Sequence, residues 1–218
     1  TMAGGDILVI NPNSNPEVTA GLRDAMAAFD QPGGPRITCI ELAEGPFGIE
    51  SEADVEAVIP LLRARVTADT ADAFVIACYS DPGLRQCREA TTKPVFGIGE
   101  SAMLTAMTRG RRFGVVAILE AAIPRHLAHI QSIGIFCRLA TEQALELRVH
   151  ELADEARTWE RLVEVATSLR KEDGADVVIL GCAGMSRYRR RLEALLGCPV
   201  IDPTQAAVGM ALTALRVA

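Results

Sequence analysis

The chain has 218 residues, of which 49% are hydrophobic and 23% charged, and it carries a net charge of −6. That length buries a substantial core, as one large domain or two small ones. The acidic balance, with no basic stripe interleaved with aromatics, excludes nucleic acid as an expected partner. No apolar stretch approaches the ~18 residues that span a bilayer, so no membrane partner is expected. The opening TMAGGDILVINPNSN has neither the basic region nor the apolar length of a signal peptide. A cytoplasmic protein is the expectation.

Short apolar runs alternate with longer amphipathic stretches. Asp6–Ile10 is β-branched and too short for a helix, and predicts a strand. The turn NPNSNP leads into a helix over Glu17–Phe29. A strand follows at Arg36–Leu42. A helix over Ser51–Thr70 has Ser51 as its N-cap and Asp54 three residues on. Ala73–Cys78 reads as a strand and Pro82–Thr91 as a helix with Pro in its first turn. Then come a strand at Pro94–Ile98, a helix at Glu100–Thr108, a strand at Arg112–Ile118, a helix at Ile123–Ile133 and a strand at Ile135–Ala140. The last third predicts a helix at Ala153–Glu172, a strand at Asp176–Leu180, a helix at Ser186–Leu196, a strand at Pro199–Ile201 and a helix at Pro203–Arg216. Such alternation predicts an α/β fold of doubly wound parallel sheets with helices on both faces.

An internal repeat divides that series. Ala71–Cys78 (ADAFVIAC) is echoed by Ala175–Cys182 (ADVVILGC), and the two cysteines lie 104 residues apart (182 − 78). Lys93–Gly97 (KPVFG) is echoed by Cys198–Asp202 (CPVID), and the first strand by Phe113–Val116. The halves this implies are residues 1–108 with 203–218, and 109–202. Ligands in parallel α/β sheets bind beyond the carboxyl ends of strands, where both Cys78 and Cys182 sit. Two pseudo-symmetric halves would bring the thiols face to face across a cleft. A helix N-terminus after each would lower its pKa toward neutrality. The competing reading is a pair of inert buried cysteines, and its weight falls because the pair is symmetric.

The other cysteines, Cys39, Cys87, Cys137 and Cys198, read as structural, and the absence of any CxxC pair argues against disulfide or zinc frameworks. His126 and His129, one turn apart on a predicted helix, have a spacing that suits a metal, but no third ligand is visible. A solvated face is the reading taken, and no metal is expected.

The blocks ILVINPNSN (7–15), GPFGIES (45–51), VIACYSDPG (75–83), PVFGIGESA (94–102), RFGVV (112–116) and VILGCAGMS (178–186) resemble the aspartate/glutamate/hydantoin racemase superfamily over essentially the whole chain. Within it the chain looks most like the hydantoin and allantoin racemases. The resemblance implies cofactor-independent inversion of a carbon next to a carbonyl. Cys78 and Cys182 would be the catalytic pair, one removing the proton as thiolate and the other donating from the opposite face. It also implies that Asn11 and Ser14 hydrogen-bond the substrate and that Phe47 lies in a covering loop. Superfamily members commonly self-associate, which implies a homo-oligomer.

Residue chemistry adds that backbone N–H groups of Tyr79, Ser80, Ala183 and Gly184, with the Ser80 hydroxyl, can hold a developing enolate. The amino-acid racemases carry a His two residues after the second cysteine, where this chain has Gly184; that favours a neutral cyclic ureide. The strand after Arg112 ends Val115-Val116-Ala117-Ile118 where relatives place hydroxyls, which leans toward a 5-alkyl or 5-aryl hydantoin. The alternatives are an allantoin or amino-acid racemase, a maleate isomerase-like or arylmalonate decarboxylase-like enzyme, and a non-enzymatic ligand-binding protein.

Overall fold

The structure, a computed structural model, describes residues 5–217; the ends of the expected halves, residues 1–4 and 218, lie outside it. The strands are β1 (Asp6–Asn11), β2 (Arg36–Glu41), β3 (Ala73–Ile76), β4 (Val95–Gly97), β5 (Phe113–Ala117), β6 (Leu139–Ala144), β7 (Val177–Leu180) and β8 (Val200–Ile201). The α-helices are α1 (Pro16–Met26), α2 (Glu52–Ala68), α3 (Leu84–Ala90), α4 (Ile98–Met107), α5 (Ile123–Ser132), α6 (Glu155–Lys171), α7 (Arg189–Leu196) and α8 (Pro203–Val217).

The strands form two four-stranded parallel sheets, ordered β2-β1-β3-β4 and β6-β5-β7-β8. Their registers correspond: β1 meets β3 as Ile7↔Ala73 and Ile10↔Ile76, and β5 meets β7 as Phe113↔Val177 and Val116↔Leu180. The inner strands are apolar and covered on both faces, as parallel strands require. Local sequence explains the helix starts. Asn15 caps α1 by accepting from the Glu17 N–H at 3.0 Å, with Pro16 opening the helix. At α2 the Ser51 side chain accepts from the Asp54 N–H at 3.2 Å, and Asp54 Oδ2 returns the contact from Ser51 N at 2.8 Å.

Each sheet is covered by the helix that follows the other sheet's last strand. α8, at the end of the chain, packs on β3, β4, α1 and α4 of the first half. α4, at the end of the first half, packs on β5, β7 and β8 of the second. One cluster joins Ala102, Met103 and Ala106 of α4 to Phe113, Val115, Val177 and Ile179. A larger one runs from Val9 and Val75 through Val116 and Leu180 to Val208 and Ala211. The hydrophobic core is therefore continuous across the repeat.

Several elements differ from the sequence reading, and three of them bear on the site. The strand expected at 135–140 lies at Leu139–Ala144, preceded by a 3-10 turn at Phe136–Arg138. The helix expected to open at Pro82 begins at Leu84. The second half's counterpart, expected from Ser186, begins with a 3-10 helix over Ala183–Tyr188 before α7.

Candidate active site

Both cysteines lie just past the carboxyl ends of corresponding strands, Cys78 after β3 and Cys182 after β7. They share the wall of one cavity with Asn13, Tyr79, Ser80, Arg125, His126 and Ala183. The remaining wall is aliphatic, including Val18, Ile49, Ile118, Ala122 and Val149. Ile118 and Ala122 follow β5, where the sequence had suggested an apolar edge. The cavity measures about 40 Å³, room for a few waters. Among the described residues, Arg125 is the one Lys or Arg on that wall, and none on it is a carboxylate.

The thiol environment differs from expectation. Burial pushes the Cys78 thiol up to about 12; the Ser80 backbone N–H and the Arg125 charge oppose this, while Cys182 reinforces it. Burial likewise raises Cys182 to about 11, against the Gly184 N–H, which donates to its sulfur at 3.4 Å. Desolvation outweighs the local N–H dipoles. Both thiols are therefore protonated near neutrality, rather than one being a thiolate. The expected helix N-terminus is present only at Cys182, which caps the 3-10 helix that follows. Cys78 is followed by a turn, and α3 starts six residues on.

That turn is held from elsewhere. Asp81 is buried in left-handed backbone at φ 48°, a conformation Asp tolerates better than most residues. Its carboxylate accepts from Gly99 N at 2.8 Å and Glu100 N at 2.7 Å, at the start of α4, and from His129 Nε2 at 3.2 Å. Negative charge suits a helix N-terminus. The contact needs glycine: a Cβ at Gly97 would lie 2.3 Å from Asp81 Cγ, and one at Gly99 2.2 Å from the Tyr79 carbonyl oxygen. The Asp81 hydrogen bond raises the His129 pKa above its ordinary value, against desolvation.

His126 is buried between two partners, its Nδ1 2.6 Å from Glu142 Oε1 on β6 and its Nε2 3.0 Å from Ser80 Oγ. Arg125 Nε donates to the same Ser80 oxygen at 2.9 Å, and the Tyr79 ring meets His126 edge-on at 5.0 Å. The solvated-face reading of His126 and His129 is thus corrected. Both point from α5 onto the Cys78 turn, because their carboxylate partners lie on a loop and a strand distant in sequence. Among the described residues no group of three or more His, Cys, Asp or Glu side chains is placed to hold a metal ion.

Of the other expected site residues, Tyr79, Ser80 and Ala183 line the cavity, and Gly184 adjoins it beside the Cys182 sulfur. Asn11 does not line it. Its Nδ2 is directed at Asn13 Oδ1, the Asn15 carbonyl and Thr19 Oγ1 at 2.9, 3.3 and 3.2 Å, and its Oδ1 accepts from Asn13 N at 3.2 Å. Asn11 therefore organises the turn, and Asn13 takes the wall position. Ser14 ties that turn to the 45–50 loop through its N–H to the Pro46 carbonyl at 2.9 Å. Phe47 is 56% exposed and off the cavity wall. Of the cysteines read as structural, Cys39, Cys87 and Cys198 are buried, whereas Cys137 is exposed on its 3-10 turn. Sequence reasoning missed Asn13, Arg125 and Glu142, and took His126 for a solvated residue. The spacing of the buried His126 and Ile130 on α5 was the one signal present for that group.

Among the described residues no helix is long and apolar enough to cross a membrane. The family model described as Asp/Glu/Hydantoin racemase matches residues 7–211. Hydantoin racemase of Paenarthrobacter aurescens is 38% identical over 213 residues, covering 94% of this chain and 89% of that one. Hydantoin racemase of Rhizobium meliloti is 36% identical over 209 residues, covering 94% and 86%. Among solved structures, allantoin racemase from Klebsiella pneumoniae superposes with a TM-score of 0.93 at 30% identity, covering 98% of this chain and 88% of that one.

Proposed function

Since the chain belongs to the Asp/Glu/hydantoin racemase family and is an isomerase, we propose that it inverts the chiral carbon of a 5-substituted hydantoin or related cyclic ureide through Cys78 and Cys182. The observation that carries this reading is that one thiol from each half meets on the wall of a cavity otherwise built from aliphatic side chains and one polar cluster. Inversion requires an acid and a base on opposite faces of one carbon. A thiol serves as either.

In the proposed step one cysteine, as thiolate, takes the proton from the carbon beside the ring carbonyl. The C–H electron pair moves into a C=C bond and the carbonyl pair onto oxygen. The second cysteine, still a thiol, returns a proton from the opposite face as the carbonyl re-forms, so the two residues exchange states. No cofactor takes part. Arg125, whose charge favours the Cys78 thiolate, is the cation placed to offset the charge that develops.

An optically pure 5-substituted hydantoin in deuterated water tests this. Loss of optical rotation should accompany deuterium at the chiral carbon, and both should collapse in Cys78→Ser and in Cys182→Ser. Full racemisation by either variant refutes the two-cysteine mechanism. Allantoin is the second reading, favoured by the close superposition on an allantoin racemase. The aliphatic wall predicts that a 5-benzyl or 5-isobutyl hydantoin is preferred to allantoin by about tenfold or more in kcat/KM. Cytoplasmic residence and self-association are part of the same proposal. Cell fractionation and light scattering test them.

A further inference from the structure

The Ser80 hydroxyl has one proton to give and two lone pairs, and its neighbours use most of them. Arg125 Nε can only donate, so its 2.9 Å contact takes one lone pair. Glu142 Oε1, 2.6 Å from His126 Nδ1, is a carboxylate oxygen and accepts, which puts a proton on Nδ1. In the neutral ring Nε2 is then an acceptor. Ser80 Oγ, 3.0 Å from that nitrogen, is the group that donates to it. Its remaining lone pair is left for the cavity, whose wall it shares with Cys78 and Cys182.

We infer that Ser80 reads the substrate as a hydrogen-bond acceptor, taking the ring N–H bonded to the chiral carbon, and that His126 is the positioning residue, held by Glu142, that turns the hydroxyl proton away from the substrate. This rests on the ureide reading above and names the group that recognises the ureide. The N–H beside the chiral carbon is the one concerned because Ser80 lies two residues beyond Cys78. The sulfur that reaches that carbon brings Ser80 next to its substituents. A ring with oxygen in place of that N–H would set lone pair against lone pair.

The test compares a 5-substituted hydantoin with the matching oxazolidine-2,4-dione, in which ring oxygen replaces that N–H with little change of shape. Deuterium exchange at the chiral carbon gives kcat/KM for both rings, in the wild type and in Ser80→Ala. The ratio between rings is the readout, since the intrinsic difference in ring acidity cancels between the two proteins. The hydantoin preference should fall by about tenfold in Ser80→Ala, carried mainly by KM. His126→Gln, whose side-chain carbonyl can still accept the hydroxyl proton, should keep more of the preference than His126→Ala. Nitrogen-15 spectra of the imidazole should show protonated Nδ1 and bare Nε2. An unchanged preference in Ser80→Ala, or a protonated Nε2, overturns the inference about Ser80. A wild type that exchanges no hydantoin overturns the ureide reading itself, and this inference with it.

Discussion

The turns after Cys78 and Cys182 start from matching strands and reach matching places, yet they are supported in opposite ways. The second carries a local cap: Cys182 caps its own 3-10 helix, and the Gly184 N–H reaches the sulfur at 3.4 Å, while farther along that helix Tyr188 Oη donates to the Leu152 carbonyl at 3.4 Å. The first depends on other elements. Asp81 fastens it to α4, while Arg125, His126 and His129 reach onto it from α5. Corresponding strands thus share the position of the thiol and not the means of holding it. Ser80, Arg125 and His126 gather their polarity on the Cys78 side of the cavity.

If that difference concerns support and not chemistry, the thiols should be equally indispensable. Cys78→Ser and Cys182→Ser should each cost about 10²–10⁴-fold in kcat, measured by polarimetry. A variant hurt far less would make its thiol auxiliary. With both thiols raised by burial, the larger thiolate supply at neutral pH belongs to Cys182 at about 11, roughly one molecule in ten thousand at pH 7. Accordingly kcat/KM should climb about tenfold per pH unit from 6 to 8. A plateau in the pH–rate profile over that range would show that one thiol is already ionised.

Stability should break the comparison the other way. Asp81→Ala removes the α4 cap and the carboxylate under His129, and should cost about 2 kcal/mol in urea unfolding. Gly97→Ala, with a Cβ 2.3 Å from Asp81 Cγ, should cost at least as much. The His129–Asp81 pair also gives the first turn a pH signature. The folded pKa of His129 lies above its unfolded value near 6.5, so its stabilisation is fully present below that pH and fades as pH rises through the raised value. His129→Asn should abolish that slope in unfolding midpoints taken across it. The smallest effect belongs to the locally capped turn. Gly184→Ala places a Cβ 3.1 Å from the mobile end of Leu152, and should change stability by no more than about 1 kcal/mol.

The division between the turns also marks what the sequence discloses. The parallel sheets, the helix order, the repeat and the place of both cysteines follow from apolar periodicity and from VIAC and VILGC. The α5 cluster does not, because its meaning depends on partners far along the chain. PRHLAHI looks like a helix with one polar face until Glu142 is brought beneath His126 and Asp81 beside His129. The same burial of charge displaced the expected strand. β6 reads LATEQA, with Glu142 serving His126 and Gln143 bonded to Ser168 and Asp173, and it lacks the alternation by which a strand is recognised. The neighbouring IGIF is apolar and drew the assignment. At Asn11 the residue type that suits a ligand also suits a turn, and only the hydrogen bonds distinguish them.

The crossing helices have a mechanical consequence. α4, which follows β4, packs on the second sheet, and α8, which follows β8, packs on the first, so the chain crosses between the sheets twice. The spacing of the two cysteine-bearing sheets is thus tied to packing far from the cavity, such as the cluster that holds Met103, Val115 and Val177. If Cys78 and Cys182 act as proposed, a substitution in that distant cluster should change the span between them as well as the stability of the fold.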